Sequence, residues 1–295
     1  MRSFFCSDTL PFRPWKYTFS PSWNSAAHSE LRRAFSTSPF ALVTCRDDSP
    51  PRILYEPLEG IERLENYKPG GYHPVAIGHR FCDRYRIIHK LGHGAYSTTW
   101  LSRDEQTEKY AAIKIYNFNV QGLNGDHSCF VTIPARASLA GLKSESWIRL
   151  FHLDVARILT VQLAIAVAYV HAQGFVHGDL HLGNILLRTP PGIDQLPVES
   201  LYEEYGQPIL DPIIHLDGKP LPPGVPSHAV VPVWLGKESE KITPSEARIL
   251  LTDFGEAFSP SQVSRYQSCT PRSIRSPEAH FEPDKPFLFH QTYGH

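Results

Sequence analysis

Residues Leu153 to Gln173 place the strongest constraint on the fold. "LDVARILTVQLAIAVAYVHAQ" reads as one helix, apolar almost all round, and Gly174 takes the usual place just past a helix C-terminus. A helix without a polar face has to be buried. Its most apolar run, Ile158 to Val170, is too short to cross a bilayer and contains Gln162. The sequence therefore predicts a core helix and no membrane span. Directly after it stands the polar loop "VHGDLHLGN", Val176 to Asn184, followed by the apolar "ILLR".

Extended segments precede the helix. "YRIIHKL" and "STTWLSR" read as strands around the loop "GHGAY"; "KYAAIKIY", Lys109 to Tyr116, and "HSCFVTI", His127 to Ile133, read as two more. Upstream, "YEPLEGIERLENYKPGGYHPVAIG" has short helical periodicity and a Gly70-Gly71 turn. The chain of 295 residues, 41% hydrophobic and 20% charged, has room for one large domain or two small ones. A net charge of −1 provides no global field toward nucleic acid or membrane. The five cysteines form no CxxC pair, and an odd count argues for free thiols in a reducing compartment. The fifteen histidines include no HExxH and no Cys/His cluster, which excludes the common zinc signatures.

Two stretches differ from the rest. Met1 to Arg46 has six basic residues and two acidic ones, is rich in Ser and aromatics, and contains "LRRAFSTSPF". That is the composition of a mitochondrial transit peptide, and equally of a disordered basic tail. Thr189 to Glu246 holds eleven of the 26 prolines. Because Pro lacks a backbone donor, the stretch reads as an inserted surface loop without regular helix or central strand. No internal repeat is present.

Several residues carry chemistry. Gly92 and Gly94 allow a backbone turn to approach phosphates, although a hairpin with two glycines is an equal reading. Lys114 lies inside an apolar strand, where its charge must meet an anion or snorkel out. Asp179 can accept the proton of an attacking hydroxyl, and Asn184 can hold magnesium through its amide oxygen. Asp253, in "TDFG" after an apolar run, suits a carboxylate that bridges magnesium to phosphates. Each carboxylate could instead make only a turn.

The order of these pieces is more specific than any one of them. Glycine loop, strand lysine, Asp-x4-Asn loop, Asp-Phe-Gly and "RSPE" (Arg275 to Glu278) follow one another as in the protein-kinase signature set, and the chain resembles that family. "YKPGGYHPVAIGHRFCDRYRIIHKLGHGAYSTTWLSRDEQ" resembles the start of the SR-protein kinases, whose C-lobe also carries a spacer where Thr189–Glu246 lies. "HGDLHLGNILLR" and "LTDFGEAF" are similar to fungal members of that group. The resemblance covers roughly Tyr55 to Pro286.

It implies an α+β, two-lobed protein-kinase-like fold that is incomplete, with a small β-rich N-lobe and a partial helical C-lobe. The divisions are a basic leader (1–49), a lead-in segment (50–84), the N-lobe (85–136) and the partial C-lobe (137–295) with its Pro-rich insert (189–246). It also implies ATP-dependent phosphorylation of Ser in Ser/Arg-rich proteins by a monomer using ATP and Mg2+. Gly92, Gly94 and Ser97 would cover the nucleotide phosphates, and Lys114 would contact them. Thr132, Ile133 and Ala135 would lie near the adenine hinge. Asp179 would be the base, Asn184 and Asp253 the magnesium ligands, and Glu278 a brace for the activation segment. Family resemblance implies nucleus and cytoplasm; the leader implies mitochondria.

Four departures matter. Gly178 replaces an Arg that couples to activation-loop phosphate. His181 replaces a Lys that faces the γ-phosphate, so its help would vary with pH. No Glu stands between Lys114 and Arg136, and "YNFNVQGLNGDH" leaves no room for the family's αC helix. The later C-lobe helices do not follow "RSPEAHFEPDKPF", which would leave apolar faces uncovered, including that of Leu153–Gln173. These departures keep two other readings open. One is a catalytically inactive, kinase-shaped scaffold. The other is a small-molecule phosphotransferase of the aminoglycoside/choline-kinase sort, which "HGDLHLGN" taken alone resembles more closely.

Overall fold

The computed structural model describes residues 53–116, 124, 127–266, 269–275, 281, 282 and 284–286. The leader and Glu278 lie outside the described residues. The chain divides into two compact units: Pro51–Ala156 with Leu186–Leu250, and Arg157–Ile185 with Leu251–His295.

The first unit is built on an antiparallel meander, ordered β1-β2-β3-β4-β5. Its strands are β1 (Arg80–Phe81), β2 (Tyr85–Gly94), β3 (Ser97–Asp104), β4 (Lys109–Tyr116) and β5 (Cys129–Thr132). This is the expected β-rich N-lobe. Ile113 faces Trp100 on β3 and Val131 on β5, so β4 is an interior strand. β4 and β5 pair directly, with Ile115 opposite Cys129, and no helix lies between them among the described residues.

Along β2, β3 and β4 both faces of the sheet are buried, and alternation along the strands assigns them. Ile87, Trp100, Ile113 and Ile115 pack with Val75 of the lead-in and with Val230. Ile88, Leu101 and Tyr110, on the other face, pack with Ile193, Val198 and Leu201. The insert thus supplies core to both faces, which corrects its reading as a surface loop. After β6 (Ala135–Ser138), the short α1 (Leu139–Ser144) is capped by the Ser138 hydroxyl, which accepts from Gly141 N at 3.0 Å. α2 spans Leu153–Ala172 and β7 spans Ile185–Arg188. The insert then forms α3 (Val198–Tyr205) and the ribbon of β8 (Leu210–Pro212) with β9 (His228–Val230). β10 (Ile249–Leu251) completes a three-stranded sheet ordered β10-β7-β6.

α2 departs from expectation in one respect. Val155, Leu159 and Val167 are buried, but Leu153, Val161, Ile165 and Tyr169 are exposed. Full burial fails because the described residues cover only one side of the helix. Its length and hydropathy match a bilayer span, as those of buried core helices also do. Gly174, at φ +83°, ends it.

Two histidines, the half-buried His73 and the buried His89, link the first unit to pH. Burial pulls His73 down to about 4, helped by the neighbouring His127 and His79. Burial likewise lowers His89, outweighing the backbone groups around it. The unfolded chain takes up protons near 6.5 that these imidazoles refuse. Their contribution is therefore complete above about 6.5 and is lost as pH falls from there toward about 4. The unfolding temperature should be lower at about pH 5 than at about pH 7.5, and His73→Phe should flatten that difference. A flat profile in the native chain would contradict the assignment.

Candidate active site

In the first unit, β2 and β3 carry the glycine loop. Neither Gly92 nor Gly94 has a positive φ, and a Cβ at Gly92 would meet no atom within 4 Å. Folding alone does not require glycine at Gly92; open space above the backbone is what a phosphate cradle needs. Ser97, nearly buried, faces Gly94 across the turn. Lys114 lies opposite Thr99 and Phe130, and its Nζ lies 4.9 Å from the centre of the Tyr116 ring. Thr132 is paired with Ala112 on the exposed β5, Ile133 follows it, and Ala135 opens β6 opposite Arg188. Pro134, between them, has no backbone donor, so only its neighbours could donate to a base.

In the second unit, the loop after α2 is tied into a compact hydrogen-bond set. Asn184 Nδ2 donates to the Asp179 carbonyl at 2.9 Å and to Asp179 Oδ2 at 3.2 Å. With its nitrogen committed, Asn184 presents Oδ1 as the free acceptor. Thr252 secures Asn184 from the other side: its N–H and hydroxyl both donate to the Asn184 carbonyl, at 2.9 and 3.0 Å. Asp179 Oδ1 is buried and has no hydrogen-bond partner. A buried orphan acceptor is costly unless a donor or cation completes it.

His181 turns toward Asp179. Gly183 N–H donates to its Nδ1 at 3.0 Å, which leaves the neutral ring's proton on Nε2, 3.6 Å from Asp179 Oδ2. Asp253 adopts φ +63°, ψ 62°. A left-handed Asp costs about 1–2 kcal/mol, and such strain gathers where a side chain must be aimed. Among the described residues, no group of three or more His, Cys, Asp or Glu forms a metal cage. One Asn oxygen and a carboxylate instead suit magnesium that arrives with phosphates.

His177 was missed at the sequence level. It is 1% exposed, its Nε2 donates to the Thr252 carbonyl at 2.9 Å, and its Nδ1 accepts from Asp179 N at 3.4 Å. Burial holds it below its ordinary pKa despite the Thr252 bond and nearby Asp179. It therefore acts as a neutral strut between the Asp179 loop and the segment that carries Asp253. The available signal was a His two residues before the Asp in "VHGD".

Gly178 is explained by space. It has φ +80°, and a Cβ there would stand 2.3 Å from the Glu256 carbonyl oxygen. Arg at this position is therefore excluded by backbone, not merely unused. Gly178→Ala should destabilise the chain by more than about 2 kcal/mol, combining left-handed strain with overpacking. Urea unfolding measures it, and a loss below about 0.5 kcal/mol, the range of a neutral surface change, would contradict the close approach.

No family model matches. Serine/threonine-protein kinase spk-1 of Caenorhabditis briggsae is 31% identical over 165 residues, covering 43% of this chain and 15% of the relative. Serine/threonine-protein kinase SRPK of Physarum polycephalum is 29% identical over 164 residues, covering 43% and 38%. Human SRSF protein kinase 3 is 26% identical over 191 residues, covering 52% and 34%. The chain is SR-protein-kinase-like. This SR-protein-kinase-like chain spans 15–38% of the length of those three curated relatives. A crystal structure of a kinase domain aligns with a TM-score of 0.47 at 19% identity, covering 70% of this chain and 61% of that one.

Proposed function

We propose that the chain carries the nucleotide-handling and acceptor-handling parts of an ATP-dependent serine/threonine kinase whose substrates are Ser/Arg-rich proteins. The observation that carries this reading is the Asp179–Asn184–Thr252 set, with Asp179 Oδ1 left as an acceptor and Asn184 Oδ1 left for a cation. The acceptor Ser oxygen bonds to the γ-phosphorus as the bond to the β–γ bridging oxygen breaks, and ADP leaves. The hydroxyl proton passes to Asp179. Gly92, Gly94, Ser97 and Lys114 bind the nucleotide phosphates, and Thr132, Ile133 and Ala135 flank the base. His181 holds its Nε2 proton beside Asp179. Asn184 and Asp253 would hold Mg2+, which neutralises phosphate charge when bound.

Lys114 supports a second reading, a kinase-shaped chain that binds nucleotide and transfers nothing. The Tyr116 ring is one neighbour of its Nζ, and the sequence has no Glu between Lys114 and Arg136, where the kinases it resembles place the lysine's partner. Positioning is most of what such an enzyme contributes, so loss of that pairing lowers the rate.

One assay separates the readings. The chain is incubated with Mg-ATP labelled at the γ-phosphorus and either a Ser/Arg peptide or small hydroxylated amines. Label in the peptide supports the kinase, and label in the amines supports the small-molecule phosphotransferase. A thermal shift of about 2.7 kcal/mol at a hundred times the dissociation constant, without transfer, supports the scaffold. The absence of both shift and transfer overturns nucleotide binding.

A further inference from the structure

We infer that Tyr72, outside the glycine loop, is a positioning residue that clamps the tip of that loop for nucleotide phosphates; this rests on the nucleotide-binding reading above. The Tyr72 side chain is buried in the lead-in, 3% exposed, and its hydroxyl donates to the Gly94 carbonyl at 2.7 Å, with the Ala95 carbonyl at 3.3 Å. These are the carbonyls at the turn between β2 and β3. The loop needs such an external hold. Neither of its glycines is fixed by a positive φ, and the space around Gly92 is open.

The "GGYH" stretch is built to deliver the tyrosine. A Cβ at Gly71 would stand 1.8 Å from the Asn66 carbonyl oxygen, so only glycine permits this turn. Tyr72 N–H donates to that same Asn66 carbonyl at 2.8 Å. The Tyr72 carbonyl in turn accepts from the buried Asn124 Nδ2 at 2.9 Å, and that nitrogen also reaches the Gly224 carbonyl at 2.7 Å. The Tyr72 ring lies 5.6 Å from the ring of Tyr67, whose hydroxyl donates to Glu62. Glu62 forms a buried ion pair with Lys90, two residues before Gly92. The lead-in therefore holds β2 just before the glycine loop through Lys90, and the tip of the loop through Tyr72.

The test is Tyr72→Phe, which keeps the ring and removes only the hydroxyl. Hydrogen exchange of the loop amides in nucleotide-free protein should rise about threefold to tenfold, the factor carried by one neutral hydrogen bond. Exchange in β4 should not change. A rise in both segments signals general loss of stability and overturns the clamp, as does no rise in the loop. Affinity for Mg-ATP should fall by about the same factor, with affinity for adenosine, which lacks phosphates, unchanged. Equal loss for both ligands makes the hydroxyl merely structural and overturns the proposal. If the native chain binds neither ligand, the nucleotide-binding reading falls, and with it the phosphate role assigned to the clamp. The exchange result still decides, separately, whether Tyr72 holds the loop.

Discussion

Asp179→Asn should lower phosphoryl transfer to a Ser/Arg peptide by about 10²–10⁴-fold, the usual contribution of a positioned base, with the unfolding temperature and Mg-ATP affinity unchanged. The substitution is isosteric. Asn at this position keeps an oxygen that can accept the Asn184 Nδ2 bond, now 3.2 Å from Asp179 Oδ2. The change falls on Oδ1, the buried acceptor without a partner, which becomes an NH2 group and can no longer take a proton. A stability assay therefore sees little and a transfer assay sees nearly everything. Asp179→Asn protein that transfers at the native rate would remove Asp179 from the chemistry. A parallel Asn184→Ala variant should behave differently. It removes both bonds to Asp179 and the amide oxygen, so its transfer defect should come with loosened loop geometry and a lower unfolding temperature.

The strands were legible because alternation survives in them. "KYAAIKIY" predicts Lys109–Tyr116, which is the observed β4, and the apolar helix predicted from Leu153 ends one residue short of the expected Gln173. Asp179, His181 and Asn184 fall together because the loop is short and local. The reading of the insert failed for an identifiable reason. The prolines read as breakers throughout, yet Pro197 stands at the N-terminal cap of α3, where no donor is needed, and Pro212 ends a strand in a two-stranded ribbon. The glycine at Gly178 looked like the loss of a regulatory Arg. Only the position of the Glu256 carbonyl shows that it is a steric requirement. Contacts between residues far apart in sequence, such as Tyr72 with Gly94, leave no periodic trace.

The insert also gives the second large effect. Leu201→Ala should destabilise the chain by about 2–5 kcal/mol, the range for a fully buried leucine. Leu201 is 0% exposed and belongs to the cluster of Ile88, Leu101 and Tyr110 on the sheet. Around it the insert is tied to the strands by specific bonds. Tyr110 N donates to Asp194 Oδ1 and its hydroxyl to the Leu196 carbonyl, each at 2.9 Å, and Tyr202 OH donates to the Ile88 carbonyl at 3.0 Å. A matched change at Leu210, which is 49% exposed, should stay within about 0.5 kcal/mol. Urea unfolding of both variants decides the matter, because a true surface loop would make them alike. The consequence reaches the candidate site through β4. Its register with β3 is unbroken, so Tyr110 and Lys114, four residues apart, share one face. α3 thus braces the lysine-bearing face of β4 in a chain that has no helix between β4 and β5 among its described residues. Leu201→Ala should therefore weaken Mg-ATP binding as well as the fold, whereas Tyr72→Phe should weaken binding and loosen only the glycine loop.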